Sequence, residues 1–374
     1  MGVRYLYQLP MEGLIILCIL LTVHLMSYVH HFILINTFKP VDSYLRPSFS
    51  IVVCAHNELE NLKRLIPSIL SQEYNDFEAI IILDRCTDNS LSYLENIQKN
   101  HSNLKVIEVH DLPKQYNGKK YGLSKGIKTA TKEWILLTDA DCLPRSENWI
   151  RAFASQTSPE IEIILGVSPY NKRPGLLNHF IQYETLTTAI RYTGEAIRQH
   201  PYMGVGRNLC FRKSLFTKSN GYEEHASIMG GDDDLFVQKH ATSTNTRVII
   251  GKESLTYSVP KRTLKQYMRQ KIRHLHVGKH YNKKQQFTHT LSATIHLMLW
   301  LSFIYLAFIY SPWWGLICLF IMLMLMKGFI YTQTARKMGI SYRPFLLPVT
   351  DFIYGMLYPL VGLKAHFTKK AKWS

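Results

Sequence analysis

Residues 13–29 read GLIILCILLTVHLMSYV and hold no Asp, Glu, Lys or Arg. Such a run has few structural fates. A segment that enters a bilayer must satisfy every backbone N–H and C=O internally, so it crosses as a helix, and about 20 residues cover the ~30 Å hydrocarbon core. A secretory signal is the competing reading. However, no basic segment adjoins the run, and HHFILINTF follows it where a small-residue cleavage site would stand. Residues 1–35 are therefore expected to form an N-terminal transmembrane anchor. Two further runs, 291–310 and 313–331, are joined by Ser311-Pro312 and predict a helical hairpin, with Trp300, Trp313 and Trp314 as interface anchors. A fourth run, 345–363, contains Pro348, Asp351 and Pro359. Both of its flanks are basic, with Arg336, Lys337 and Arg343 before it and Lys364, Lys369, Lys370 and Lys372 after it. Basic flanks favour the cytosolic side, so this segment is expected to be re-entrant or interfacial, with a third span as the alternative. Residues 289–374 are thus read as C-terminal membrane segments with a basic tail.

Lys and Arg total 44 against 27 Asp and Glu, a formal charge of +17. That excess suits an anionic membrane surface, a phosphorylated substrate or nucleic acid. A nucleic-acid partner explains the charge but neither the apolar runs nor the acids described below, so none is expected. The six cysteines stand at 18, 54, 86, 142, 210 and 318, with no CxxC pair. They form neither a disulfide framework nor a zinc site, and they fit a reducing, cytosolic compartment.

Residues 36–260 read as that soluble region. SFSIVVC (48–54) is a continuous apolar run, the mark of a strand buried on both faces. A helical stretch follows it, then FEAIIIL, LKVIEV, a Gly-Lys loop with helix, and WILLTDAD. This alternation predicts an α/β domain with a doubly wound, mostly parallel sheet. Ligands of such sheets bind beyond the carboxyl ends of the strands. Those ends carry Glu58, Asp84, Asp139 and Asp141. Asp88, in T-D-N-S, is ordinary helix-capping chemistry. Asp139 and Asp141 are different: in extended chain, residues i and i+2 point the same way, so two carboxylates face one point. A hard divalent cation such as Mg²⁺ or Mn²⁺, bound by one or two carboxylates and substrate phosphates, relieves the repulsion. There is no GxxxxGK[ST], and MGVGRNL lacks the last glycine of GxGxxG, so neither a P-loop nor an ordinary dinucleotide-binding unit is supported.

In this order and at these spacings, residues 48–284 resemble family-two glycosyltransferases: membrane-attached, inverting enzymes of the GT-A fold that use nucleotide-diphosphate sugars. CAHNE (54–58) keeps the Asn-Glu that closes the family's first strand, with His56 where tyrosine is common. Asp84-Arg85-Cys86-Thr87-Asp88 keeps both acids of the D-x-S-x-D turn. The resemblance places Ala55, Glu58 and Asp84 in the nucleoside pocket. Gly118-Lys119-Lys120 opens the counterpart of the GKxxALNxG loop and puts Lys119 near the nucleotide. TDAD (138–141) matches the metal motif, with Asp141 on the ion and Asp139 also at the metal, reaching the ribose or sugar. Within GVGRNLCFR (204–212), Asn208 is expected to touch the donor sugar.

MGGDDDLF (229–236) aligns with the family's E-D-x-D-L region. One alignment makes Asp232 the catalytic base, the other Asp233; Asp234 is then a helix cap. A surface run of acids is more often a solvated face, a reading the alignment displaces. Gln270-Lys271-Ile272-Arg273-His274 resembles Q-x-x-R-W with His for Trp, assigning Gln270 and Arg273 to the diphosphate. Residues 261–284 hold nine Lys or Arg and no acid, with Leu264, Met268, Ile272 and Leu275 at helical spacing. Residues 261–288 are therefore expected to form an amphipathic helix on the membrane surface. The implied partners are a nucleotide-diphosphate sugar, UDP being usual, a lipid-linked or glycan acceptor, and membrane lipids. A polyprenyl-phosphate glycosyltransferase is the nearest alternative, disfavoured by Q-x-x-R. A catalytically silent nucleotide-sugar-binding membrane subunit is the alternative of another class.

Overall fold

The structure is a computed structural model. It describes residues 2–368 except 42, 117, 310 and 312, and the side chains from residue 11 onward. Pro312 of the hairpin link and Lys369, Lys370 and Lys372 of the basic tail lie outside the described residues.

The chain begins with helix α1 (Gly2–Thr37) and then alternates: β1 (Phe49–Ala55), α2 (Leu59–Leu70), β2 (Phe77–Asp84), α3 (Ser90–Gln98), β3 (Leu104–Val109), α4 (Gly118–Thr129) and β4 (Trp134–Leu137). After these come β5 (Cys142–Pro144), α5 (Trp149–Ala154), β6 (Ile163–Leu165), α6 (Leu176–Ile197), β7 (Leu209–Arg212), α7 (Lys213–Lys218), α8 (Asp234–His240), β8 (Thr246–Val248) and β9 (Thr256–Ser258). The C-terminal part comprises α9 (Leu264–Val277), α10 (Lys283–Ile309), α11 (Trp314–Lys337) and α12 (Leu347–Phe367). Seven strands form one sheet in the order β3-β2-β1-β4-β7-β6-β8, and β5 pairs with β9 in a small second sheet. β3, β2, β1 and β4 run parallel, while β7 opposes both β4 and β6. Helices cover both faces of the central strands. That is why FSIVVCA and FEAIIILD are apolar almost throughout rather than alternating. The expected α/β sheet is the one observed.

Four described helices are long and apolar enough to cross a membrane: Met11–Thr37 within α1, α10, α11 and Pro344–Phe367, which includes α12. The fourth is one uninterrupted helix, with Pro348 in its first turn, where a missing N–H costs nothing, and Pro359 inside it. The segment expected to be re-entrant or interfacial, with a third span as the alternative, is thus a continuous helix over Leu347–Phe367. Its far end packs on α9, where Lys279 Nζ donates to the Thr368 carbonyl at 3.1 Å.

Asp351, the residue that made this segment doubtful as a span, is fully buried and pairs with Lys327 of α11. His296 and Trp300 of α10 each reach its Oδ2 at 3.2 Å, Tyr183 of α6 donates to its Oδ1 at 2.6 Å, and His24 of α1 meets Lys327 Nζ at 3.1 Å. Gly355 lets α12 close on α10; a Cβ there would lie 2.7 Å from the Trp300 ring. His24 of α1, His296 and Trp300 of α10, Lys327 of α11 and Asp351 of α12 thus meet in one network, which ties the four helices together. Lys327→Met strands the Asp351 charge and should cost roughly 3–5 kcal/mol, read as a lowered thermal midpoint in detergent. Lys327→Met with Asp351→Leu should recover most of it. A single variant as stable as wild type would remove the network from the account of stability.

Candidate active site

The winding of the sheet reverses beside β1, so the carboxyl ends of β1, β2 and β4 open on one crevice, where ligands of open α/β sheets bind. Ala55 closes β1 and is buried. The turns after β1 and β2 hold Asn57 and Arg85 in the left-handed region, at φ 54° and 52°, strain of the kind that gathers at functional sites. The turns clasp each other: Asn57 Oδ1 accepts from Thr87 N at 2.8 Å, and His56 Nδ1 meets the Asp84 carbonyl at 2.6 Å. Asp88 accepts from Leu59 N and Ser90 N at 3.1 and 3.2 Å, the first residues of α2 and α3, although Glu58 and Asn89 hold the N-cap positions themselves. Glu58 accepts from the Asn61 amide. Burial raises its pKa, the Asn61 bond opposes the rise, and the charge of Asp141 adds to it.

Asp84 is held by Arg85 through two bonds of 2.8 Å. α4 begins directly against this pair. A Cβ at Gly118 would collide with the Arg85 guanidinium and the Asp84 carboxylate. Glycine therefore brings the next two lysines into the interior. Lys119 Nζ pairs with Asp139 Oδ1 at 2.8 Å and with Asp232 Oδ2 at 2.9 Å. Burial alone would lower its pKa; Asp139, Asp232 and Asp233 together raise it well above the usual value. Lys120, only 1% exposed, donates to the carbonyls of His225 and Ile228 at 2.5 and 3.1 Å, and burial lowers its pKa to about 8. It ties down the loop that delivers the aspartate run.

Oxygens of Asp139 and Asp141 and the sulfur of Cys142 lie within 4.8 Å of one another. Ser258 of β9 donates to Asp141 Oδ1 at 3.2 Å. Burial and then the Asp139 charge push the Asp141 carboxyl up, with Arg207 and Lys261 opposing. Two convergent, mutually repelling carboxylates fit a hard divalent cation. Cys142 does not belong to that donor set: burial, then Asp141, keep its thiol protonated far above the ordinary range, and a neutral thiol is a poor partner for Mg²⁺ or Mn²⁺.

The three aspartates have three different environments. Asp232 is 5% exposed and faces Lys119. Burial would raise its pKa, but Lys119, with Lys120 behind it, holds it below the usual carboxylate range. Asp233 has both oxygens occupied: Oδ2 accepts from Gly206 N at 2.6 Å and Oδ1 from Asp234 N at 2.8 Å. It, not Asp234, caps α8, which corrects the sequence expectation. Burial and the neighbouring Asp232 raise its pKa. Asp234 accepts from the Tyr281 hydroxyl at 2.6 Å and is raised further by burial and then Asp233.

Asn208 is corrected as well. It is fully buried; its Oδ1 accepts from Trp149 Nε1 at 3.0 Å and its Nδ2 donates to the carbonyls of Val167 and Ser254 at 2.8 and 2.7 Å. With its amide consumed inside the domain, it is an anchor of β7 rather than a sugar contact. Its neighbour Arg207 faces the acids instead. The guanidinium lies over the Tyr170 ring at 4.4 Å, and Nη1 is buried without a hydrogen-bond partner among the described residues. Gln270 donates to the Tyr170 hydroxyl at 3.1 Å, so α9 joins the crevice through that ring, and Arg273 lies half-buried one turn further along α9. Leu264, on the opposite side of α9, is 58% exposed. Lys120, Arg207 and Lys261 had no signal of their own, because single bases do not stand out among 44.

Known proteins resemble this chain in sequence and in fold. The chain is 33% identical over 194 residues to an uncharacterized glycosyltransferase of Haemophilus influenzae, a match covering 50% of this chain and 56% of that one. It is 34% identical over 92 residues to a poly-beta-1,6-N-acetyl-D-glucosamine synthase of Staphylococcus epidermidis, covering 25% of this chain and 21% of that one. These matches therefore span only about half and about a fifth of the relatives' lengths. A mannosyltransferase of Pyrobaculum calidifontis, solved with GDP-Man and Mn²⁺, superposes with a TM-score of 0.60 over 97% of this chain and 100% of that one at 18% identity, a likeness of fold. The family profile described as "Glycosyltransferase like family 2" matches residues 47–276, more than half of the chain, and the protein is accordingly a family-2 glycosyltransferase with the GT-A fold.

Proposed function

We propose that this enzyme is membrane-bound and inverting, and that it transfers a sugar from a nucleotide-diphosphate sugar, with UDP as the expected nucleotide, to a hydroxyl of a lipid-linked or glycan acceptor. The observation that carries the reading is the Lys119 bridge. One ammonium joins Asp139, on the cation side of the crevice, to Asp232, on the side of the aspartate run. A donor diphosphate and an acceptor hydroxyl would meet across it.

Asp232 takes the proton from the acceptor hydroxyl. That oxygen attacks the anomeric carbon as the bond to the diphosphate breaks on the opposite face. The nucleoside diphosphate leaves with the bonding pair, and the configuration inverts. Asp139 and Asp141 would hold a divalent cation, which supplies charge neutralisation to the diphosphate when bound. Lys119 of α4, Arg207 in the turn before β7, and Gln270 and Arg273 of α9 would face the same charge. Ala55, Glu58 and Asp84 form the nucleoside side. Asp233 supports the base by fixing the start of α8.

The catalytic domain, 36–260, is placed on the cytosolic face, with 261–288 along the interface and 1–35 and 289–374 as membrane segments. The support is the basic, acid-free stretch at 261–284 and the exposed Leu264 beneath it. Donor hydrolysis by the purified protein against a panel of nucleotide sugars tests the reading. One UDP-sugar should be hydrolysed selectively, and the rate should collapse without Mn²⁺ or Mg²⁺. Equal rates with and without chelator would defeat the cation assignment, and preference for another nucleotide would replace UDP.

A further inference from the structure

Arg191 projects from α6 into a cleft between α10 and α12, lined with it by His289, Ser292, His296, Tyr354 and Tyr358. The walls of the cleft enclose ≈ 10 Å³ for the centres of water-sized groups, about one water, so a larger occupant would sit in its open mouth. A guanidinium carries five N–H donors. Here Nη2 donates to Ser292 Oγ at 3.1 Å, and among the described residues no carboxylate stands within ion-pair distance of Arg191. The two acids that border this region are engaged elsewhere. Glu195, one turn along α6, bonds His31 and Arg198, each at 3.1 Å. Asp351 is taken by Lys327, His296, Trp300 and Tyr183. His289 makes ring contacts with Tyr202 and Tyr281, at 5.2 and 6.1 Å, and no hydrogen bond among the described residues.

An arginine in a helix-lined cleft without a counter-charge is costly unless an anion joins it. The level of the cleft says which anion is at hand. Along α10, polar KKQQFTHT gives way to apolar LSATIHL just past His289, the transition found where a helix passes from headgroups into hydrocarbon. Basic pockets between membrane helices at that level hold lipid head groups. We propose that this cleft binds the phosphate of a membrane lipid, with Arg191 making the charged contact, Ser292 and His289 completing the hydrogen bonds, and Tyr354 and Tyr358 forming the wall. The proposal rests on the membrane placement given above and is separate from the donor crevice.

The test is native mass spectrometry of the full chain released from phosphatidylcholine nanodiscs doped with either phosphatidylglycerol or a polyprenyl phosphate. Wild type should retain one doped lipid, and whichever lipid is kept names the head group. Arg191→Gln should lower that adduct roughly tenfold, the loss of one charge-assisted contact. Arg191→Lys should retain part of it. His289→Ala should weaken it several-fold, and serves where Arg191→Gln fails to fold. Equal adducts in wild type and variants would overturn the proposal, as would retention of no doped lipid by any form. An Arg191-dependent rise in thermal midpoint with inorganic phosphate alone would assign the cleft to a soluble anion and overturn the lipid. Turnover enters none of these readouts, so they stand or fall apart from the glycosyltransferase chemistry.

Discussion

Asp232→Asn is expected to slow sugar transfer by roughly 10²–10⁴-fold and to leave nucleotide-sugar binding close to wild type. The amide keeps the shape and removes the proton acceptor. Lys119 remains anchored by Asp139 at 2.8 Å, so the cation beside the donor is not lost. Asp233→Asn is the matched control. Its carboxylate accepts two backbone N–H groups, from Gly206 and Asp234, and has no oxygen to spare for an acceptor. The amide keeps one acceptor oxygen and gives up one of these two bonds, about 0.5–1.5 kcal/mol of stability, with a smaller effect on rate. Calorimetric titration of donor and single-turnover transfer separate binding from chemistry. Near-normal transfer by Asp232→Asn, or a larger rate loss in Asp233→Asn at equal folded fraction, would move the base to Asp233.

Asp141→Ala is expected to abolish divalent-dependent turnover, a loss on the order of 10³-fold or more for several kcal/mol of charge stabilisation. Its second signature is thermal. In the metal-free protein, burial and then Asp139 disfavour the Asp141 charge. Removing the carboxylate therefore should not lower the metal-free midpoint, whereas the upward shift that Mn²⁺ confers on wild type should vanish. A variant that still gains stability from Mn²⁺ would place the ion elsewhere. A carboxyl whose pKa is raised in the folded state opposes folding at neutral pH, where it must ionise, so a bound cation returns what the pair's repulsion takes away.

Much of this molecule can be read in the chain before folding is considered. Continuous apolar strands followed by acids locate the crevice, because a parallel sheet puts every such strand end on one edge. Acid-free runs of membrane length locate three of the four long helices, since a bilayer admits little else; the fourth carries Asp351. α6 shows the limit. Its 22 residues carry both apolar and polar buried positions, among them Tyr183, Glu184 and Thr187, and it packs between the sheet and the membrane helices. Covered on several sides, it has no clean apolar stripe to announce it. Asn208 shows the converse: a motif position suggested a sugar contact, while its amide is spent on Trp149, Val167 and Ser254.

The aspartate run divides the two kinds of information most sharply. Its acids, its glycine pair and its place after the Asp-x-Asp segment are matters of sequence, and they single out residues 232–234 as candidates for the site. Which of the three to propose as the base is not written locally, because Asp232, Asp233 and Asp234 are the same side chain in a row. The difference comes from distant chain: the Lys119 ammonium at Asp232, the Gly206 amide at Asp233 and the Tyr281 hydroxyl at Asp234. A carboxylate's chemistry is set by the charges and donors around it, and only tertiary structure brings those partners to each one.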